Sequence, residues 1–269
     1  GTFQSTLTEF PYLRKIWQQN TEEERLLGVS MTGPLDHPLL NDPDSKELEG
    51  ILTSLKQVVI DTNALYAKKI GVPQSTACTA IKPEGTVSQL TDSASGLHTR
   101  HSKYYIRRVR GDVKDPLTQF LMTQGVPWEP DVMKPDSTVV FSFAKRAPEG
   151  ALVREDLSAI QHLKLWLAYQ RYYCEHKPSI TVSVKEHEWM EVGSFVWEHF
   201  DEVSGISFLP YDGGSYRQAP YEDCTEEQYL ELDAKIPKNI DWDLLIEHTD
   251  NVIGTQTLAC SSGSGCELV

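Results

Sequence analysis

Positive charge is scarce in this chain. Its 25 lysines and arginines stand against 39 acidic residues, leaving a net charge of −14 over 269 residues. That excludes broad binding along a DNA or RNA backbone, which needs a basic surface. It leaves room for a small nucleotide held by backbone amides and a few local cations. Long apolar runs are missing too. No stretch approaches the ~18 apolar residues of a membrane span, and no signal peptide is visible. The cysteines number five, an odd count, and Cys78, Cys174 and Cys224 are scattered, so they do not make a disulfide scaffold. A reducing, cytoplasmic setting is expected. The chain opens on Gly1 rather than Met and reads as a fragment or a processed product. The remaining composition is that of an ordinary globular protein, long enough for one large domain or two small ones.

The stretch that organises the rest is Thr76-Ala-Cys-Thr-Ala-Ile-Lys-Pro-Glu-Gly-Thr-Val-Ser88. Its first half is apolar and short, like a buried strand. Lys82-Pro83-Glu84-Gly85 then breaks the pattern, because proline cannot continue a central strand and glycine lets the backbone approach a ligand closely. Thr86 and Ser88 bring hydroxyls, and Gln89-Leu90 can begin a helical turn. Strand, glycine turn, hydroxyls and helix start together suit a phosphate, although simple strand-turn junctions share this shape.

Taken in order, the chain predicts a helix over Gly1–Gln19, with Leu7, Phe10, Leu13 and Trp17 on one face, and a second helix capped by Thr21. Leu27–Thr32 reads as a short buried strand closed by Gly33-Pro34. Ser45–Ile70 reads as a long amphipathic helix with Leu48, Ile51, Leu52, Leu55, Val59 and Ala64 inward and Gly71 as its cap. Thr91–Arg110 begins as a loop and ends in a strand over Tyr104–Arg110. It carries the one cationic concentration: Arg100, Lys103, Arg107, Arg108 and Arg110. These suit a phosphate or acidic partner, but a solvated edge strand paired with surface carboxylates is the preferred reading. Helices follow near Asp115–Gln124, Arg154–His176, Glu186–Glu202 and Thr225–Ala234, with a short element at Trp242–His248. Strands are predicted at Thr138–Phe143, Ser179–Val184 and Ile206–Leu209. Repeated strand–helix alternation argues for an α/β fold with substantial parallel pairing.

The end of the chain is Cys260-Ser-Ser-Gly-Ser-Gly-Cys266-Glu-Leu-Val269. Small residues between two terminal cysteines suit a thiol–disulfide shuttle. Incidental cysteines on a frayed end, or half of a zinc site, are the competing readings; no second cysteine pair exists to complete four zinc ligands. His98 and His101 lack an evident third ligand and read as hydrogen-bonding histidines, so no metal site is expected. Cys174 and His176 are helical near-neighbours that do not face one another, which makes Cys174 a core residue. Cys78 reads as a small buried residue, Cys224 as a loop-to-helix junction, and the tryptophans as core.

Several stretches together resemble one family. They are the Thr76–Leu90 segment, Ser95-Gly-Leu-His98, Tyr104-Tyr-Ile-Arg-Arg-Val-Arg110, Asn20–Gly33, Cys174–Val182, Gly205-Ile-Ser-Phe-Leu-Pro210 and the terminal cysteine pair. The sequence is similar to the C-terminal portion of adenosylcobalamin-dependent (class II) ribonucleotide reductases. The resemblance implies part of a ten-stranded α/β barrel over residues 1–246 and a flexible redox tail over 247–269. It implies that Glu84, Gly85, Thr86, Val87 and Ser88 hold the substrate phosphate through backbone N–H groups and the two hydroxyls. It implies that Cys260 and Cys266 form the dithiol that re-reduces the active site and is itself reduced by a thioredoxin-like donor. The family chemistry is radical: cobalt–carbon homolysis yields a thiyl radical that takes the ribose 3′ hydrogen, the 2′ hydroxyl leaves as water, and two cysteines supply the electrons. No finger loop of the family's Asn-Pro-Cys-Ser-Glu type is present, and the tail spacing is one residue longer than the family's. The expected partners are therefore a ribonucleotide, the missing N-terminal part of the reductase and a thioredoxin, with no membrane and no direct nucleic-acid binding. The alternative from another class is a non-enzymatic acidic α/β module for nucleotide binding or interaction.

Overall fold

The computed structural model describes residues 1–211 and 217–246. In chain order its helices are α1 (Lys15–Glu24), α2 (Lys46–Ile70), α3 (Val87–Leu90), α4 (Pro116–Thr123), α5 (Ala159–Tyr172), α6 (Trp189–Glu198) and α7 (Glu226–Lys235). Its strands are β1 (Tyr104–Asp112), β2 (Trp128–Pro130), β3 (Thr138–Arg146), β4 (Ile180–Val184), β5 (Ile206–Pro210) and β6 (Tyr221–Asp223). They divide into two compact units, one from Gly1–Arg100 with Gly150–Tyr211, the other from His101–Glu149 with the described residues after Asp212. The redox-tail expectation for 247–269 lies outside the described residues. Among those described, no helix is long and apolar enough to cross a membrane.

The first unit is built on α5. Ser158 caps it by accepting from the Gln161 N–H, and Gln161 returns the contact to the Ser158 N–H. Its buried face carries Leu163, Trp166 and Tyr169 at helical spacing. That face packs against α2, β4 and α6 in one apolar cluster with Leu35, Leu48, Leu52, Ile81 and Leu97. Buried polar atoms on these large rings find backbone partners, as burial requires. The Trp166 indole N–H donates to the Pro178 carbonyl at 3.0 Å, and the Tyr173 hydroxyl donates to Val29 O at 3.0 Å. In β4, Ile180, Val182 and Val184 point into the core while Thr181 and Ser183 are less buried, the period-two pattern of a strand. It pairs in parallel with β5, Ile180 opposite Ile206 and Val184 opposite Pro210. α2 follows expectation closely: Ser45 caps it, and Gly71 closes it at φ +81° with its N–H on Ala67 O. Leu48, Leu52, Asn63 and Ala67 are its buried positions, whereas Leu55 is exposed.

In the second unit the sheet order is β2-β3-β1-β6, antiparallel throughout. β1 runs against β3 along its whole length, Tyr104 opposite Arg146 and Asp112 opposite Thr138. α7 packs on β3 and β1, and Val126, Val139 and Phe141 form a small separate core.

Several expectations are corrected. Parallel pairing is confined to β4–β5 and two isolated bridges among the described residues; the larger sheet is antiparallel. The segment 104–110 is an interior strand, not an edge. Gly1–Gln19 is not one helix. A single tight turn spans Gln4–Thr6, and the helix begins only at Lys15. Pro11 explains the gap, because proline disfavours helical backbone at the residue before it, here Phe10. Leu7 and Trp17 consequently stand 69% and 54% exposed. Thr21 does not cap a helix but lies inside α1, its hydroxyl donating to Trp17 O. Of the six tryptophans only Trp166 is core.

Candidate functional site

The organising stretch lies in the first unit. Residues 77–81 run alongside 27–29, with Val29 bridged in parallel to Thr79, and the Leu27 and Val29 N–H groups donate to Ala77 O and Cys78 O. On the other side the Glu175 and His176 N–H groups both reach Thr79 O, and the Ser179 N–H reaches Ile81 O. Ile81 is fully buried. The chain then leaves the core at Lys82 and turns through Pro83, Glu84 and Gly85 into the single-turn helix α3, with Thr86 at its N-cap.

Three sets of contacts fix this loop. The Glu84 N–H donates to Ser95 Oγ at 2.6 Å, and the Ser88 hydroxyl donates to Glu84 O at 2.6 Å. The Glu84 carboxylate accepts from the Thr32 hydroxyl through one oxygen and from the Ser30 hydroxyl, 3.3 Å away, through the other. Behind it, Gly96 at φ +50° lies so close to Lys82 that an added Cβ would stand 2.6 Å from the Lys82 carbonyl oxygen. The N–H groups of Gly85, Thr86, Val87 and Ser88 make no hydrogen bond to any described residue, as at any helix start. Gly85, Thr86 and Val87 are exposed. Ser88 is only 1% exposed, and its hydroxyl is turned inward.

The neighbouring segment is locked by charge. Arg100 is 5% exposed and forks onto Asp36 at 3.1 and 2.9 Å and onto Asp92 Oδ1 at 3.2 Å. Asp36 also accepts from the Ala94 N–H, and the Gly33 N–H donates to Ala94 O. His98 donates from Nδ1 to Ser95 O and accepts the Thr181 N–H on Nε2, which ties the loop's flank to β4. His162 stacks edge-on to His98 at 6.2 Å and bonds Leu97 O. Burial, then the neighbouring His98, push its pKa down to about 4.

Within the first unit Arg100 serves the Asp36 bridge; within the second unit Arg108 pairs with Glu222, Arg110 with Asp131, and Arg107 lies over the Tyr221 ring. Arg100, Arg108 and Arg110 pair with carboxylates as the preferred reading expects, whereas Lys103 and Arg107 lie over tyrosine rings. Cys174 is core, its thiol pushed up to about 12 by burial; Cys78 is buried and shifted upward for the same first reason. Cys224 sits between β6 and α7. Cys260 and Cys266 lie outside the described residues. No metal-holding group of three or more His, Cys, Asp or Glu occurs among those described. Sequence reasoning missed the Asp36–Arg100 lock and the His98 bridge. It also missed the Ser30 and Thr32 hydroxyls, although their period-two spacing places them on one side of an extended segment.

No protein-family model matches the chain. It is 28% identical to the adenosylcobalamin-dependent ribonucleoside-triphosphate reductase of Euglena gracilis over 83% of its own length and 31% of the relative's. It is 28% identical to the enzyme of that name from Lactobacillus acidophilus over 93% of its length and 37% of the relative's. A solved structure of a B12-dependent (class II) ribonucleotide reductase superposes with a TM-score of 0.76 at 25% identity, covering 88% of this chain and 37% of that one. The chain thus spans about a third of the proteins it matches. Motifs, curated relatives and fold agree: over most of its length this chain is a homologue of part of the adenosylcobalamin-dependent ribonucleotide reductases.

Proposed function

We propose that this chain is the part of an adenosylcobalamin-dependent ribonucleotide reductase that seats the substrate's phosphates and carries the thioredoxin-linked dithiol. The observation that carries the reading is the row of N–H groups at Gly85, Thr86, Val87 and Ser88, free of partners among the described residues at the start of α3. N–H donors without partners at a helix start favour an anion. The Thr86 side chain is exposed beside them. Ser88 contributes its N–H while its hydroxyl braces the turn from inside. The parallel run of residues 77–81 beside 27–29, and of β4 beside β5, fits a portion of an α/β barrel whose other strands come from the rest of the enzyme.

In the complete enzyme adenosylcobalamin would supply the initiating radical. Both ring nitrogens of His98 are bonded to backbone groups, and no histidine of the chain is assigned to cobalt. Cys260 and Cys266 would return electrons to the active site and be reduced in turn by a thioredoxin.

Reconstitution tests the reading. The chain is mixed with the N-terminal portion of a related class II reductase, adenosylcobalamin, a ribonucleotide and thioredoxin, and deoxyribonucleotide is assayed. Product that requires this chain is expected. A folded chain that yields none, and that ignores the N-terminal portion, refutes the proposal.

A further inference from the structure

We infer that Glu84 is a positioning residue: its carboxylate pins the phosphate loop to the Ser30–Thr32 segment and does not itself meet the ligand. The inference rests on the reading of Gly85–Ser88 as a phosphate site. A carboxylate beside four anion-seeking N–H groups is, on charge alone, misplaced, since it repels what they attract. The structure resolves this by aiming it backwards. Both carboxylate oxygens accept hydroxyl protons, one from Thr32 and one from Ser30 at 3.3 Å. The same residue's N–H reaches Ser95 Oγ and its carbonyl takes the Ser88 hydroxyl, both at 2.6 Å. Every polar group of Glu84 is therefore occupied, and each reaches a different point: the 30–32 segment, the 93–96 segment and α3. Ser30 and Thr32 continue directly from Val29, which is bridged to Thr79 in the strand that feeds the loop. The side chain thus closes a ring: strand, loop, carboxylate, Thr32 and back to the strand. Gly85–Ser88 follow immediately, so the direction of their N–H groups depends on that ring.

A positioning role differs from a ligand or proton-transfer role in what glutamine does. In Glu84→Gln the amide bonds both hydroxyls, which can accept as well as donate. It also removes a negative charge near the phosphate. Glu84→Ala breaks the ring. Thr32→Val breaks it from the other side without touching Glu84.

The experiment uses the full chain, inorganic tripolyphosphate as the probe, and amide hydrogen exchange at Gly85–Leu90, with circular dichroism to confirm folding. Glu84→Ala is expected to weaken tripolyphosphate binding ~10-fold, the scale of a lost hydrogen bond to a charged group, and to speed exchange in the loop. Glu84→Gln is expected to stay within ~3-fold of the parent in affinity, and Thr32→Val should add little to Glu84→Ala in the double variant. The inference is overturned if Glu84→Ala matches the parent in both readouts, or if Glu84→Gln is as damaging as Glu84→Ala, which would make the charge itself a direct participant. If the parent chain does not bind tripolyphosphate, the phosphate reading fails; loop exchange in Glu84→Ala then decides the positioning claim alone.

Discussion

Replacing Gly96 with alanine should show how tightly the loop is held from behind. Two costs add. At φ +50° the residue is in the left-handed region, where a Cβ costs ~1 kcal/mol. The added Cβ would also stand 2.6 Å from the Lys82 carbonyl oxygen, 3.1 Å from its carbon and 3.4 Å from Ile81 Cγ2. Backbone oxygen has no rotamer by which to escape. A shift of about 0.8 Å is needed to restore ordinary 3.4 Å contact, and spread over bond angles it costs ~1–3 kcal/mol. The sum is ~2–4 kcal/mol, a large share of the stability of an ordinary domain. Gly71 is the matched control. Its φ is +81°, yet nothing lies within 4 Å of its would-be Cβ, so Gly71→Ala should show the conformational cost alone, ~1 kcal/mol. Urea unfolding measures both. Because Lys82 begins the loop that leads into α3, Gly96→Ala should also speed amide exchange at Gly85–Leu90, and Gly71→Ala should not. Equal destabilisation by the two variants would refute the reasoning.

Stability should fall on acidification because of His162. Its pKa, about 4 in the folded chain, lies below the ordinary 6.5, so the unfolded state binds more protons in between; stability rises with pH across that window and is ~3 kcal/mol lower once pH is below 4. Urea midpoints against pH should show this contribution in the parent and lack it in His162→Gln, with other titrating groups common to both. Arg100→Met should cost ~3 kcal/mol by stranding Asp36, and Asp36→Asn should offset part of that in a double-mutant cycle measured by urea unfolding. With iodoacetamide at pH 8, the half-buried Cys224 should label before Cys78 and Cys174, which are buried; burial raises the pKa of all three thiols, that of Cys174 to about 12, so access sets the order, and peptide mass mapping that finds Cys174 labelled as fast as Cys224 would contradict the packing. In the reconstituted enzyme, Cys260→Ser or Cys266→Ser should abolish turnover with thioredoxin while a small dithiol restores it; unchanged thioredoxin-dependent turnover would remove the tail from the mechanism.

What the sequence made legible was local, and what it hid was long-range. α2 and α7 were readable because their ends carry their own signals: Ser45 and Gly71 for one, Thr225 with Gln228 for the other. β4 was readable because one of its faces is buried and the other less so. The orientation of the larger sheet was not, because alternation of strand and helix suggests parallel pairing only when the helix carries the chain back across the sheet. Here α4 is two turns long, and the chain after it returns along β1 in the opposite sense, so the intervening helix leaves the strands antiparallel. The N-terminal helix failed for a related reason: Leu7, Phe10, Leu13 and Trp17 have helical spacing, but a period describes a face and says nothing of whether Pro11 permits the backbone to form it.

The same division runs through the candidate site. Lys82-Pro-Glu-Gly-Thr86 announces a turn that exposes N–H groups, and that much needs no partner. Which way those groups point is set by residues 52 and 54 positions away in the chain, Thr32 and Ser30, and the adjoining segment by an Asp36–Arg100 pair 64 positions apart. A hydroxyl on a short extended segment has no local pattern that tells it from any other surface serine or threonine. The carboxylate in the loop was the available clue. An acidic side chain next to the proposed anion site repels an anion unless it is neutralised, displaced or occupied elsewhere, and Glu84 is occupied elsewhere. Glu84 therefore implies hydroxyl or amide donors behind the loop, and the Ser30–Thr32 segment supplies them.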